Sequence, residues 1–192
     1  MERARDVVLI RHGETSWSAS GKHTGRTDVP LTKRGRRQAA DLGATVAGWR
    51  FALALTSPLQ RAAETARLAG LSCTAEDDLQ EWDYGELEGL TTPEIREDLP
   101  GWTIWRGPVP GGEGVAEVAA RVDRVIERVQ AVDGDVVLVS HGHLLRALAA
   151  RWLEWPAVEG RRLVLDTATL GVLGNERGSQ AILRWNMPPP AT

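Results

Sequence analysis

The chain has 192 residues, 42% of them hydrophobic and 26% charged, an ordinary globular composition that excludes disorder, collagen-like repeats and coiled coil. Twenty-three basic against 26 acidic side chains leave a net charge of −3, which argues against a partner held mainly by a basic surface, such as duplex nucleic acid or anionic lipid. Cys73 has no partner for an internal disulfide and no window offers the ~18 apolar residues of a membrane span, so the expectation is a cytoplasmic single domain over 1–192.

In chain order, residues 6–11 form a β-branched apolar run closed by polar residues and Gly13, the pattern of a strand buried on both faces. Thr32 offers an N-cap hydroxyl to a helix reaching Trp49, with Ala39, Leu42, Val46 and Trp49 at helical spacing. Residues 53–56 read as the next strand. Ser57-Pro58 then reads as an N-cap followed by proline at the first helical position, opening a helix to Ala69. Val115, Val118, Val122, Val125, Ile126 and Val129 recur at three- and four-residue steps, which predicts an amphipathic helix over 114–132. It leads into a second buried strand, 135–140, and a helix over 144–153. Residues 169–175 and 180–185 flank Arg177-Gly178 and read as a hairpin on the sheet edge, and 187–192 as a proline-rich extended tail. The βαβα alternation predicts an α/β fold.

Both buried strands deliver histidine at or just past their carboxyl ends, the edge where ligand crevices form in open α/β sheets. The first turn is Arg11-His12-Gly13-Glu14-Thr15, in which Gly13 lets the backbone approach a ligand. An imidazole attacks phosphorus when the attacking nitrogen is unprotonated and the other is held by a hydrogen bond. Arg11 adds a planar fork suited to a phosphate dianion. Arg61, in the first turn of its helix, sits where backbone donors and the dipole already favour an anion. The second turn is Ser140-His141-Gly142-His143, with His141 at a helix start and placed to donate to a phosphate oxygen. His143 has no assigned role.

Residues 79–89 put Glu81, Asp83, Glu86 and Glu88 in a glycine-punctuated loop, and a carboxyl flanked by Trp82 is shielded from water, the setting of a general acid for an alkoxide leaving group. His-X-His also occurs in metal sites, but diagnostic carboxylates and a paired cysteine are absent nearby. The basic run Lys33-Arg34-Gly35-Arg36-Arg37 reads as a solvated helix face rather than a nucleic-acid patch.

Arg11-His12-Gly13-Glu14-Thr15, Thr24-Gly25, Asp28-Val29-Pro30-Leu31-Thr32, Ser57-Pro58-Leu59 with Arg61 and Thr65, Glu81 with Tyr84-Gly85 and Glu88-Gly89, Gly112-Glu113, and Ser140-His141-Gly142-His143 stand in one order. In these motifs the chain resembles the histidine phosphatase superfamily, the phosphoglycerate-mutase-like group. The resemblance implies a three-layer α/β/α fold with a mostly parallel central sheet. It implies that His12 is the nucleophile, that Arg11, Arg61 and His141 bind the transferring phosphoryl group, and that Glu81 is the proton donor. It implies no metal and no organic cofactor, a small phosphorylated metabolite as partner, and leaves a homodimer open.

Cofactor-dependent mutases share this machinery, and a non-catalytic phospho-ligand module would keep part of it. The short 91–112 stretch has only Arg96 and Arg106 as bases, and Ser18 stands where such mutases have asparagine; both features favour hydrolysis. Among phosphatases the chain resembles small actinobacterial acid phosphatases and sedoheptulose-bisphosphatase-like enzymes, which implies a sugar or glycerate-type phosphate as substrate. Ser18, His23, Thr24, Gly25, Trp82, Tyr84 and Gly142 are the candidate substrate contacts, with Trp102 and Trp105 as further pocket walls.

Overall fold

The computed structural model describes residues 5–189. In chain order these form β1 (Val7–Arg11), α1 (Ser16–Ser20), α2 (Lys33–Val46), β2 (Phe51–Thr56), α3 (Gln60–Leu68), β3 (Thr74–Ala75), α4 (Thr92–Asp98), α5 (Val115–Gln130), β4 (Asp135–Ser140), α6 (Gly142–Trp152), β5 (Leu170–Glu176) and β6 (Ser179–Met187). The strands make one sheet in the order β3-β2-β4-β1-β5-β6. Its first four are parallel, β5 adds antiparallel to β1, and β6 adds antiparallel to β5.

Alternation along β1 explains the layers. Val7 and Leu9 enter one core with Val118, Val122, Leu144 and Leu148 of α5 and α6. Val8 and Ile10 enter the other with Leu42, Val46, Ala62 and Ala66 of α2 and α3. A strand covered on both faces has no polar side to write into its sequence, hence the unbroken apolar run. The three-layer α/β/α expectation holds. No helix among the described residues is long and apolar enough to cross a membrane.

Local chemistry places most boundaries. Thr32 caps α2 as predicted, its hydroxyl accepting from Gly35 N at 2.9 Å, but the helix stops at Val46 rather than Trp49. Trp49 instead stacks on Phe51 with ring centroids 5.9 Å apart, and β2 starts at Phe51, ahead of the predicted residue 53. The Ser57-Pro58 start is corrected: α3 begins at Gln60 with Leu59 as its N-cap and no side-chain cap. The Ser57 hydroxyl is drawn to a buried histidine described below. Gly114 starts α5 as expected. The hairpin turn carries Arg177 at φ 51° and Gly178 at φ 89°, the left-handed pair that tight hairpins require. Met187 is part of β6, paired with Leu170, so the tail begins later than predicted; residues 190–192 lie outside the described residues.

Two short helices went unpredicted. In α4, Thr91 and Glu94 form a reciprocal capping box around Pro93, a pattern legible in Thr91-Thr92-Pro93-Glu94. In α1, Thr15 and Ser18 do the same.

The register that matters most is Arg11 opposite Ser140 on the parallel pair β1 and β4. Parallel neighbours run about 4.8 Å apart. The residues after this pair, His12 and His141, therefore leave the sheet side by side.

Candidate active site

His12 donates its backbone N–H to Ser140 O at 3.0 Å, which carries the strand register one residue into the turn. Its imidazole Nδ1 lies 2.7 Å from Gly13 O. A carbonyl only accepts, so Nδ1 carries the proton and Nε2 is left with a free lone pair. Burial, with the Arg61 and Arg11 charges, pushes the His12 pKa well below the usual histidine range. Gly13 serves this turn differently from the expectation. A Cβ there would meet Gly35 O at 2.4 Å, and one at Gly35 would meet Glu14 O at 2.1 Å. The two glycines let the histidine turn dock on the start of α2, rather than on a ligand.

His141 caps α6 and its ring centroid lies 5.1 Å from that of His12. Its Nδ1 accepts from Arg61 Nε at 3.1 Å, and its Nε2 sits 2.8 Å from Ser57 Oγ. A guanidinium cannot accept, so the proton is on Nε2 and both ring nitrogens are committed. Burial, followed by the Arg61 and His12 contributions, holds the His141 pKa well below the usual range. His141 is therefore a neutral, fully buried imidazole, because a second positive charge beside Arg61 is unfavourable.

Arg61 is also fully buried. Its remaining donors reach Thr27 O at 3.0 Å, Thr24 O at 3.1 Å and Gly25 O at 2.9 Å. That loop is itself held by Glu88, whose carboxylate accepts from the N–H groups of Gly25, Arg26 and Thr27. One acidic residue thus fixes a loop whose carbonyls fix an arginine whose Nε fixes His141.

Glu81 is buried, and its carboxylate accepts from three backbone N–H groups: Trp82 and Leu144 at 2.9 Å on Oε1, and His143 at 3.1 Å on Oε2. It supplies the side-chain cap that α6 lacks from its own residue His141. One lone pair of Oε2 remains. Burial pushes the Tyr84 phenol well up, so it keeps its proton and donates to His143 Nδ1 at 2.6 Å. Burial and Arg146 push His143 down, leaving a neutral ring with its proton on Nε2.

A cavity of about 160 Å³ gathers Arg11, His12, Ser18, His23, Thr24, Glu81, Tyr84 and Gly142 from the predicted set. Arg11 bonds Leu165 O through Nη1, while its buried Nε has no hydrogen-bond partner. Arg61 and His141 stand behind His12 rather than on the cavity wall. Gly25 contributes a carbonyl to Arg61 and does not line the cavity. The predicted tryptophan walls are corrected too: Trp82, Trp102 and Trp105 belong to the core. Trp82 donates Nε1–H to Glu113 O, while Trp102 and Trp105 pack edge-on behind His23 and His143. Large flat rings bury more apolar area there than a polar pocket wall would allow.

The sequence reading missed Gly21, Lys22 and Arg146 on the wall and gave His143 no role. Arg146 had a signal: it lies three residues after His143, on the same face of α6. The basic run at the start of α2 matches its solvated reading, with Arg34 and Arg36 ion-paired to Glu14 and Glu64. Among the described residues no cluster of three or more His, Cys, Asp or Glu is arranged to hold a metal.

Comparison with known proteins closes the question of kinship. The family model for "Histidine phosphatase superfamily (branch 1)" matches residues 7–188. The chain belongs to the histidine phosphatase superfamily. It is 43% identical over 181 residues to an acid phosphatase of Mycobacterium tuberculosis, covering 92% of this chain and 89% of that one. It is 34% identical over 180 residues to sedoheptulose 1,7-bisphosphatase of Saccharomyces cerevisiae, covering 76% and 66%. A solved structure of an open reading frame from Mycobacterium tuberculosis superposes with a TM-score of 0.94 at 40% identity, covering 97% of this chain and 99% of that one. This membership makes the chain a phosphatase, with phosphoglycerate mutase as the alternative inside the same superfamily.

Proposed function

We propose that the chain hydrolyses small phosphomonoesters in two in-line steps through a phosphohistidine at His12. The observation that carries this reading is the His12 tautomer: Nδ1–H is tied to Gly13 O, so Nε2 meets the cavity as a ready nucleophile. In the first step Nε2 bonds to phosphorus as the P–O bond to the leaving group breaks. Glu81, carrying a proton on the lone pair of Oε2 that no backbone group occupies, gives it to the departing oxygen. In the second step water attacks phosphorus, the P–N bond breaks, and Glu81 takes the water's proton. Inorganic phosphate and the starting enzyme result.

Arg11 faces the transferring group directly, with its unpartnered Nε as a donor for a phosphoryl oxygen. Arg61 and His141 add fixed positive charge and a dipole from behind, where they need no reorganisation as charge develops on the equatorial oxygens. The cavity is well below the roughly 300–1,000 Å³ of drug-sized sites. That supports a short substrate, such as a sugar or glycerate-type phosphate. The names of the two relatives, an acid phosphatase and a sugar bisphosphatase, support the same class. The negative net charge and the ion-paired basic helix support a metabolite rather than a nucleic acid, and a cytoplasmic setting is part of this proposal.

Trapping tests it. Incubated briefly with labelled aryl phosphate and quenched, the wild-type chain should yield an acid-labile, alkali-stable phosphoenzyme, and His12→Ala should yield none. Label retained in His12→Ala overturns the mechanism. Glu81→Gln should slow a sugar phosphate by about 100-fold and the aryl ester by less than tenfold, since a good leaving group scarcely needs an acid. Equal losses on both substrates exclude Glu81 as the donor. With 3-phosphoglycerate and 2,3-bisphosphoglycerate, release of inorganic phosphate is expected; accumulation of 2-phosphoglycerate selects the mutase.

A further inference from the structure

The turn that carries His12 commits its backbone almost completely. The N–H groups of residues 12–15 go in order to Ser140 O at 3.0 Å, Thr65 Oγ1 at 3.1 Å, Gln38 Oε1 at 3.0 Å and Ser18 Oγ at 2.9 Å. On the carbonyl side, His12 O accepts from Ala168 N, Glu14 O from Thr32 N, and Thr15 O from the Ser18 hydroxyl. Gly13 O is left to the imidazole, 2.7 Å from His12 Nδ1.

Gly13 O and Glu14 N–H belong to one peptide unit, which is planar and trans, so they point in opposite directions and turn together. A glycine ahead of that unit has no Cβ to hinder its rotation. A group outside the turn must therefore hold it, and the residue in place is Gln38, on the second turn of α2. Its partner is an N–H, which only donates, so the carbonyl end of the Gln38 amide is the end that meets the turn. The peptide before Gly13 is held in the same way from α3. The Thr65 hydroxyl gives its proton to Arg61 O at 2.7 Å and accepts from Gly13 N with a lone pair. Two helices thus grip the peptide units on either side of Gly13, and neither Gln38 nor Thr65 lines the cavity.

We propose that Gln38 is a positioning residue that sets the tautomer of the nucleophile: by holding Glu14 N–H it aims Gly13 O at His12 Nδ1, which fixes the proton there and leaves Nε2 bare. This rests on the phosphatase reading above. Which nitrogen of an imidazole is protonated follows from the hydrogen bond that the other makes. A half-turn of the 13–14 peptide would send Glu14 N–H toward the ring in place of Gly13 O. Nδ1 would then accept, and the proton would move to Nε2, where it blocks attack on phosphorus.

Histidine ring tautomers, read by long-range nitrogen–proton NMR correlations in the free protein, test this without turnover. In the wild-type chain the His12 proton should sit on Nδ1. Gln38→Met keeps the side-chain length and loses the acceptor. It should populate the Nε2–H form and lower kcat about tenfold, with KM for aryl phosphate within about twofold, because Arg11 and the rest of the cradle are untouched. Gln38→Glu keeps an acceptor oxygen at the same reach and should hold kcat within about threefold of wild type. An unchanged tautomer and kcat in Gln38→Met, or equal losses in Gln38→Met and Gln38→Glu, overturn the assignment and leave Gln38 a fastening for α2. The wild-type chain supplies a check that no variant's folding can spoil. Its Glu14 N–H should exchange with solvent at least about 100-fold more slowly than an open amide, and exchange at the open rate overturns the anchor. Absence of a phosphoenzyme at His12 would sink the phosphatase reading separately, with the dependence of the tautomer on Gln38 standing or falling by itself.

Discussion

The turns that end β1 and β4 look alike in sequence, each a strand delivering a histidine beside a glycine, yet they hold their histidines in opposite ways. His12 gives one nitrogen to its neighbour's carbonyl and opens the other to the cavity. His141, one strand away, has both nitrogens occupied by Arg61 and Ser57 and no surface at all. A nucleophile needs an uncommitted lone pair; an electrostatic support needs a fixed position. The pair shows how one motif serves both needs once the partners differ.

Replacing each histidine by alanine separates the two roles. His12→Ala should lose about 10⁴-fold or more in kcat, whereas His141→Ala should lose about 100-fold and still form phosphoenzyme. Equal losses, or no phosphoenzyme in His141→Ala, would erase the distinction. Arg61→Met leaves three carbonyls and His141 Nδ1 without a donor, two of these acceptors, Gly25 O and His141 Nδ1, in buried contacts. It should destabilise the fold by about 2–4 kcal/mol in urea titrations. A variant of wild-type stability would mean the loop carbonyls find water instead.

Proton occupancy sharpens the comparison further. His12, His23, His141 and His143 are all held below the usual histidine range by burial. The unfolded chain therefore binds more protons than the folded one once pH drops under about 6.5, and stability rises with pH through that window. The penalty from His23 should grow from about 6.5 down to about 4 and then level off. Histidine resonances followed by NMR should titrate below 6.5, and a His12 midpoint at or above 6.5 would contradict the open, neutral nucleophile. The smallest change expected is Ser57→Ala, which removes the acceptor of His141 Nε2–H and the longer, 3.3 Å acceptor of Leu59 N–H. It should cost about 1 kcal/mol and less than tenfold in kcat.

The fold was legible where sequence pattern and burial agree. The apolar runs of β1 and β4 and the valine stripe of α5 state their own surroundings, because each side chain's neighbour is set by a two- or 3.6-residue period. The start of α3 was misplaced for the opposite reason: the Ser57 hydroxyl accepts from Leu59 N–H just ahead of the helix and also meets a histidine 84 residues away, and only the folded chain supplies that second partner. Pocket walls failed likewise. Trp82, Trp102 and Trp105 are near the site in sequence terms, but their area is better used in the core.

What the sequence by itself determined is the kinship, the layered α/β class and the small set of side chains able to do phosphoryl chemistry, since residue type and order carry that information directly. What only the tertiary structure decided is the state of those side chains: which nitrogen of His12 is bare, that His141 is sealed, that Glu81 caps a helix, and that Arg146 reaches the cavity wall. Tautomer, charge and access belong to contacts between residues far apart in the chain, and those contacts exist only once strands β1 and β4 lie side by side.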